Sequence, residues 1–152
     1  NTFKKWNRVY GKKGFIEYQI VIPHHFAFDA INVILDKITQ SGLGSTIAAI
    51  KPLAKSECIF SFPIDGITLA VDFAYDVRVL RLLDYLDSIV LEAEGRVYLA
   101  KDSRLSSKIF GDIYSESINK WRDIEMKYNL GVRPPSDLLK RLMSKDENSN
   151  YK

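Results

Sequence analysis

"GFIEYQIVIPHHFAFDAINVILDKITQ", residues 14–40, changes its hydrophobic period once, at Pro23. Before the proline, Ile16, Tyr18, Ile20 and Ile22 alternate with Glu17 and Gln19, the pattern of a strand with one apolar side. After it, Phe28, Ile31, Leu35 and Ile38 recur at helical spacing between Phe26 and Gln40, and "SGLG" ends the helix. Further along, "STIAAIK" (45–51) reads as a short strand, and "ECIFSFP" (57–63) as another, closed by Pro63 and followed by an Asp-Gly turn at 65–66. "ITLAVDF" (67–73) then alternates Ile67, Leu69, Val71 and Phe73 against Thr68, Ala70 and Asp72. Residues 76–93 carry the strongest helical stripe, Val79, Leu82, Leu83, Leu86, Ile89, Val90 and Ala93, with Gly95 as its stop. "RVYLA" (96–100) is a strand. A helix follows with Ile118, Trp121, Glu125 and Tyr128 in register and Ile124 widening the stripe. "RPP" breaks it, and Ser136 is placed to cap a short helix, "DLLKRL".

The order is therefore β-α-β-β-α-β followed by two helices, an α+β, ferredoxin-like pattern that the 57–63 strand would enlarge. In that arrangement both crossover helices cover one face of an antiparallel sheet. Parity puts Glu17, Gln19, Thr68, Ala70 and Asp72 on the other face. The first and third strands are the central pair, so these residues become neighbours on a candidate binding face.

Composition narrows the function classes. The 152 residues suffice for one domain with a sizeable core. A net charge of +3, with both signs interspersed, is too mild for a nucleic-acid surface. One cysteine, Cys58, excludes an internal disulfide and is compatible with a reducing cytosol. No apolar run is long enough to span a membrane. Residues 1–14 read as a basic extension or linker that includes Trp6, residues 15–143 as the domain, and 144–152 as a tail without fixed structure. The start at Asn1 suggests a piece of a longer protein.

No dinucleotide, Walker or zinc motif is present. His24 and His25 point in different directions with no carboxylate cluster beside them, so no metal site is expected. Glu17 and Gln19 are either ligand contacts or the solvated side of a strand. "VYLAKDSRLS" (97–106) raises the same choice. Lys101 and Arg104 follow a half-buried strand, so they are either a loop in water or cations placed at the end of the second face to stabilise an anion.

Taken in order, "YQIVIP", "SFPIDGITLAVDF", "GRVYLAKDSRLS" and "SDLLKRL" resemble the C-terminal half of FAD-linked oxidases of the vanillyl-alcohol oxidase type. Within that family the resemblance is closest to the decaprenylphosphoryl-β-D-ribose 2′-oxidases, and it runs over residues 6–143. It implies a cap, or substrate, domain whose sheet covers the flavin ring, while an N-terminal domain of the same polypeptide binds most of the FAD. The second face then faces flavin and substrate. Residue by residue, Gln19 matches a pocket glutamine, Glu17 stands where the family has another glutamine, and Lys51 matches a pocket lysine. Thr68 and Ala70 occupy pocket positions. Mycobacterial members carry a cysteine where Ala70 stands, so chemistry dependent on that thiol should be absent. Lys101 inherits the role of a lysine facing flavin and substrate, and Asp102 and Arg104 that of anchoring its loop.

The activity this implies is oxidation of a sugar-like alcohol by hydride transfer to flavin N5, with the isolated chain inactive. The expected location is the cytoplasm, and a polyprenyl-linked substrate would add contact with a membrane surface. The alternative from the residues alone is a free-standing ferredoxin-like module that binds a ligand or protein through its open face.

Overall fold

The computed structural model describes residues 12–128 and 136–144. Most of the basic extension with Trp6, the "RPP" break and residues 145–152 lie outside the described residues.

Strand β1 (Phe15–Pro23) buries Ile16, Tyr18, Ile20 and Ile22 and leaves Glu17 and Gln19 half-buried on the opposite side. Helix α1 (His24–Ser41) begins directly after Pro23 and ends at Gly42, which bonds its N–H to the Thr39 carbonyl and, at a left-handed φ of 66°, turns the following chain out of the helix. Strands β2 (Ser45–Leu53) and β3 (Gly66–Ala74), helix α2 (Val77–Glu92) and strand β4 (Arg96–Val97) follow. The sheet is antiparallel with the order β2-β3-β1-β4, the ferredoxin-like arrangement. β1 and β3 pair along their whole length, from Phe15 opposite Ala74 to Pro23 opposite Gly66. Gly66 leaves no room for a side chain, because a Cβ there would run into the Ile22 carbonyl.

Both α1 and α2 pack on one face. Ala27, Ala30, Ile31, Ile34 and Ile38 of α1 and Val79, Leu83, Leu86 and Val90 of α2 meet Tyr18, Ile20, Leu69, Val71 and Phe73 of the central strands. Each fully buried aliphatic side chain stabilises the fold by about 1.5–3 kcal/mol relative to exposure. The buried stripe of α1 is rotated from the one the large side chains suggest. Alanines at 27 and 30 allow close approach to the sheet, and Phe28 is left 80% exposed.

Two strand expectations need correction. Residues 57–63 form a looped turn rather than a strand, with the Ser61 N–H bonded to the Cys58 carbonyl. "RVYLA" is a strand only at Arg96–Val97, extended by one bond from the Tyr98 N–H to the Gln19 carbonyl. The Lys101 N–H then bonds the Tyr98 carbonyl and closes a turn, so the chain leaves the sheet.

Three helices complete the described residues: α3 (Ser107–Ile113), α4 (Ser115–Tyr128) and α5 (Asp137–Leu142). The sequence reading missed α3, which is too short to show a period and is marked only by Ser106, whose Oγ caps it. In α4, Ile118 is buried, but Tyr128 is exposed despite its place in the apolar register. Ser136 caps α5 through Leu139 N–H, as its position predicts. Tyr114, between α3 and α4, donates its hydroxyl to the Val97 carbonyl and so closes the outer edge of β4.

Helix α2 carries a pH-dependent cap. Asp76 accepts from the Arg78 backbone N–H at 2.8 Å and from the Arg78 guanidinium, which together hold its carboxyl at about 2. A depressed carboxyl contributes stability above its ordinary value of 3.8 and loses it as pH falls through about 2. Asp76→Ala should therefore lower the melting temperature at neutral pH. The gap to the unaltered chain should close as melts are repeated toward pH 2.

Candidate functional site

Register turns the second face into three rows. The first sets Ile47, Asp72 and Glu17 side by side on β2, β3 and β1. The second sets Ala49, Ala70 and Gln19, continued by Tyr98. The third sets Lys51, Thr68, Val21 and Arg96. Successive rows lie about 7 Å apart and neighbouring strands about 4.8 Å.

Among the described residues the face is covered at one end. There the loop after β2 folds back: Phe62 stacks on Tyr98 with ring centroids 4.5 Å apart, and the Ser61 carbonyl accepts from the Arg96 guanidinium. Val21 and Thr68 are buried beneath this end. Beyond Tyr98 the middle row is half-buried rather than capped, and its two alanines leave a patch without large side chains beside the Gln19 amide.

Lys101 stands at the open end, beyond the β1 edge that β4 is too short to cover. Its Nζ lies 2.8 Å from Glu17 Oε2, with the two side chains 41% and 27% exposed. The Glu17 carboxylate, through this hydrogen bond and its charge, raises the Lys101 ammonium above its ordinary value. Asp102, Ser103 and Arg104 continue from Lys101 along a shallow pocket at this strand edge.

Two buried anchors set the shape of that loop. Asp102 Oδ1 accepts from the N–H groups of Arg104 and Leu105 at 2.9 and 2.8 Å, and its Oδ2 accepts from Arg141 of α5 at 2.6 Å. Arg104, with a side chain only 7% exposed, contacts both oxygens of Asp87 at 2.8 Å and Asp84 at 2.7 Å, and lies over the Tyr18 ring. Tyr18 completes the cluster by donating its hydroxyl to Asp87 at 2.9 Å. Burial pushes the Asp87 carboxyl up, while Arg104 and the Tyr18 hydroxyl pull it back. Burial also opposes the Arg104 charge, but the facing carboxylates more than restore it. With two guanidinium contacts, Asp87 is an ionised partner at neutral pH.

The candidate residues thus fall into four places. Glu17 and Lys101 form a pair at the open end, and Gln19 and Ala70 line the middle row. Thr68 is buried at the covered end, where it donates to the Ile20 carbonyl at 2.7 Å and receives Gln19 Nε2 at 3.3 Å. Lys51 is exposed at the corner diagonally opposite Lys101, roughly 13 Å along the strands and 10 Å across them from Glu17. Sequence reasoning missed Tyr98, although the alternation of "RVYLA" places it on this face. It also missed Asp87, whose signal was a lone carboxylate inside the apolar stripe of α2.

Fold and site together define a ferredoxin-like domain that presents a half-open sheet face with a lysine fixed at one end. The chain is 35% identical over 143 residues, 93% of its length, to decaprenylphosphoryl-beta-D-ribose oxidase of Mycolicibacterium smegmatis. It spans 31% of that protein's length. The resemblance read from the four motifs is borne out by this similarity. No family model matches the chain.

Proposed function

We propose that this chain is the C-terminal cap domain of an FAD-linked oxidase that oxidises a sugar-like alcohol, with the rest of the polypeptide holding most of the FAD. The observation that carries this reading is Lys101, held by Glu17 at one end of the sheet face, one row from the patch formed by Ala49 and Ala70. The match over 93% of the chain to an oxidase three times its length supports it. The face suits the group. Ala49 and Ala70 leave room for a planar ring, Gln19 offers an amide beside it, and Lys101 brings a positive charge to its edge.

When bound, FAD would supply the hydride acceptor for the alcohol. The chain's own residues do the rest. Lys101 supplies a fixed cation where negative charge accumulates, and Gln19 and Glu17 bind and orient substrate hydroxyls. Lys51 supplies a further cation at the far corner of the face. Thr68 acts from below by holding Gln19 in place. Ala70 offers no thiol, so the site has no covalent chemistry of that kind. Asp102 and Arg104 hold the lysine loop rather than react. The proposed location is the cytoplasm, at a membrane surface if the substrate is polyprenyl-linked. Among the described residues no helix is long and apolar enough to cross a membrane.

The test is the full-length polypeptide. It should purify yellow with FAD and bleach anaerobically on addition of decaprenylphosphoryl-β-D-ribose or another ribosyl alcohol, whereas the 152-residue chain should not retain FAD through gel filtration. A colourless full-length protein, or a tight yellow complex with the short chain alone, would overturn the reading.

A further inference from the structure

The Lys101–Glu17 pair has a consequence for the kind of ligand the open end accepts. The carboxylate lies 2.8 Å from the ammonium, and both side chains reach solvent, so a ligand approaching Lys101 meets Glu17 at the same time. Asp72 sits directly opposite Glu17 across the β1–β3 pair, on the same face. An anionic group must then either displace Glu17 from Lys101 or accept a carboxylate within a few ångströms. At about 4 Å in water such a like-charge contact costs about 1 kcal/mol, close to a fivefold change in occupancy. A neutral hydroxyl faces no such cost. It can accept a hydrogen bond from the ammonium and donate one to the carboxylate, satisfying both partners.

We infer that Glu17 is a specificity-determining residue, which makes the Lys101 end of the face select neutral, hydroxyl-bearing groups and turn away anionic ones. The inference rests on reading this face as a ligand face. It also assigns Glu17 a role of its own, since a glutamine there would leave the ammonium without its directly hydrogen-bonded carboxylate and with the weaker influence of Asp72. An anionic portion of the same ligand would have to lie elsewhere, and among the described residues the register sets Thr68, not a carboxylate, opposite Lys51 at its corner of the face.

The experiment compares two acylating reagents that differ by one charge, acetyl N-hydroxysuccinimide ester and its sulfonated form. Labelling of each lysine of the full 152-residue chain is followed by peptide mass spectrometry. Taking the ratio of sulfonated to neutral rates at each site cancels differences in the deprotonated fraction. In the unaltered chain the ratio at Lys101 should fall below that at Lys51. In Glu17→Gln it should rise about threefold at Lys101, as expected for loss of a charge several ångströms away, and stay constant at Lys51. Equal ratios at the two lysines in the unaltered chain would overturn the inference without any variant, and so would an unchanged Lys101 ratio in Glu17→Gln. The reagents need no flavin. A negative result therefore removes the charge discrimination alone, and failure of the oxidase reading leaves the labelling result standing.

Discussion

Arg104→Met is expected to lower unfolding stability by about 3–5 kcal/mol, the loss typical when one partner of a buried ion pair is removed. Among the described residues the Arg104 guanidinium is the cation that pairs with Asp87, which is 2% exposed and also accepts from the buried Tyr18 hydroxyl. Without Arg104 a carboxylate is stranded beneath α2, and the loop loses its tie to β1 and α2. The cause can be separated from lost packing. Adding Asp87→Leu and Tyr18→Phe removes the stranded groups together, and apolar replacement of a whole buried pair is often neutral or stabilising. Urea unfolding of the single and triple variants should therefore show the triple recovering most of the loss. A single variant within about 1 kcal/mol of the unaltered chain would show that the cluster is not the anchor its geometry indicates.

If the proposed oxidase function holds, Lys101→Met, made in the full-length polypeptide, should slow reduction of the flavin by substrate on the order of 10²–10³-fold, the usual effect of deleting a preorganised charge-stabilising group. Flavin content and melting temperature should change little, because the lysine side chain is 41% exposed and its pair with Glu17 lies near the surface. Stopped-flow reduction under anaerobic conditions reads the step directly. An unchanged rate constant would remove Lys101 from the chemistry, while a protein that fails to retain FAD would show that the lysine serves binding. The two positions differ in direction: Arg104 faces inward and fixes the loop, and Lys101 reaches outward to the face where the proposed chemistry would take place.

Much of this was legible in the chain. The alternation in 16–22 and 67–73 reflects one buried and one half-open face, so parity alone placed Glu17, Gln19, Ala70 and Asp72 together. The stripe of α2 and the cap at Ser136 were read from local rules that the fold obeys. The failures share a cause. Residues 57–63 have strand composition, but their aromatics are used in tertiary contacts: Phe62 stacks on Tyr98, and Phe60 lies near Phe110, Tyr114 and Trp121. "RVYLA" has strand alternation, yet its strand stops after Val97, where a turn starts the loop that carries Lys101.

The sequence by itself thus determined the layer architecture and which residues share the second face, because hydrophobic period and turn residues act over a few positions. Only the tertiary structure decided which part of that face is open and where Lys101 stands on it. Those outcomes depend on contacts between residues far apart in the chain: Glu17 with Lys101, Arg104 with Asp87, Asp102 with Arg141, and Ser61 with Arg96. Such pairs leave no periodic trace, since each is settled by the distance between elements after they have packed.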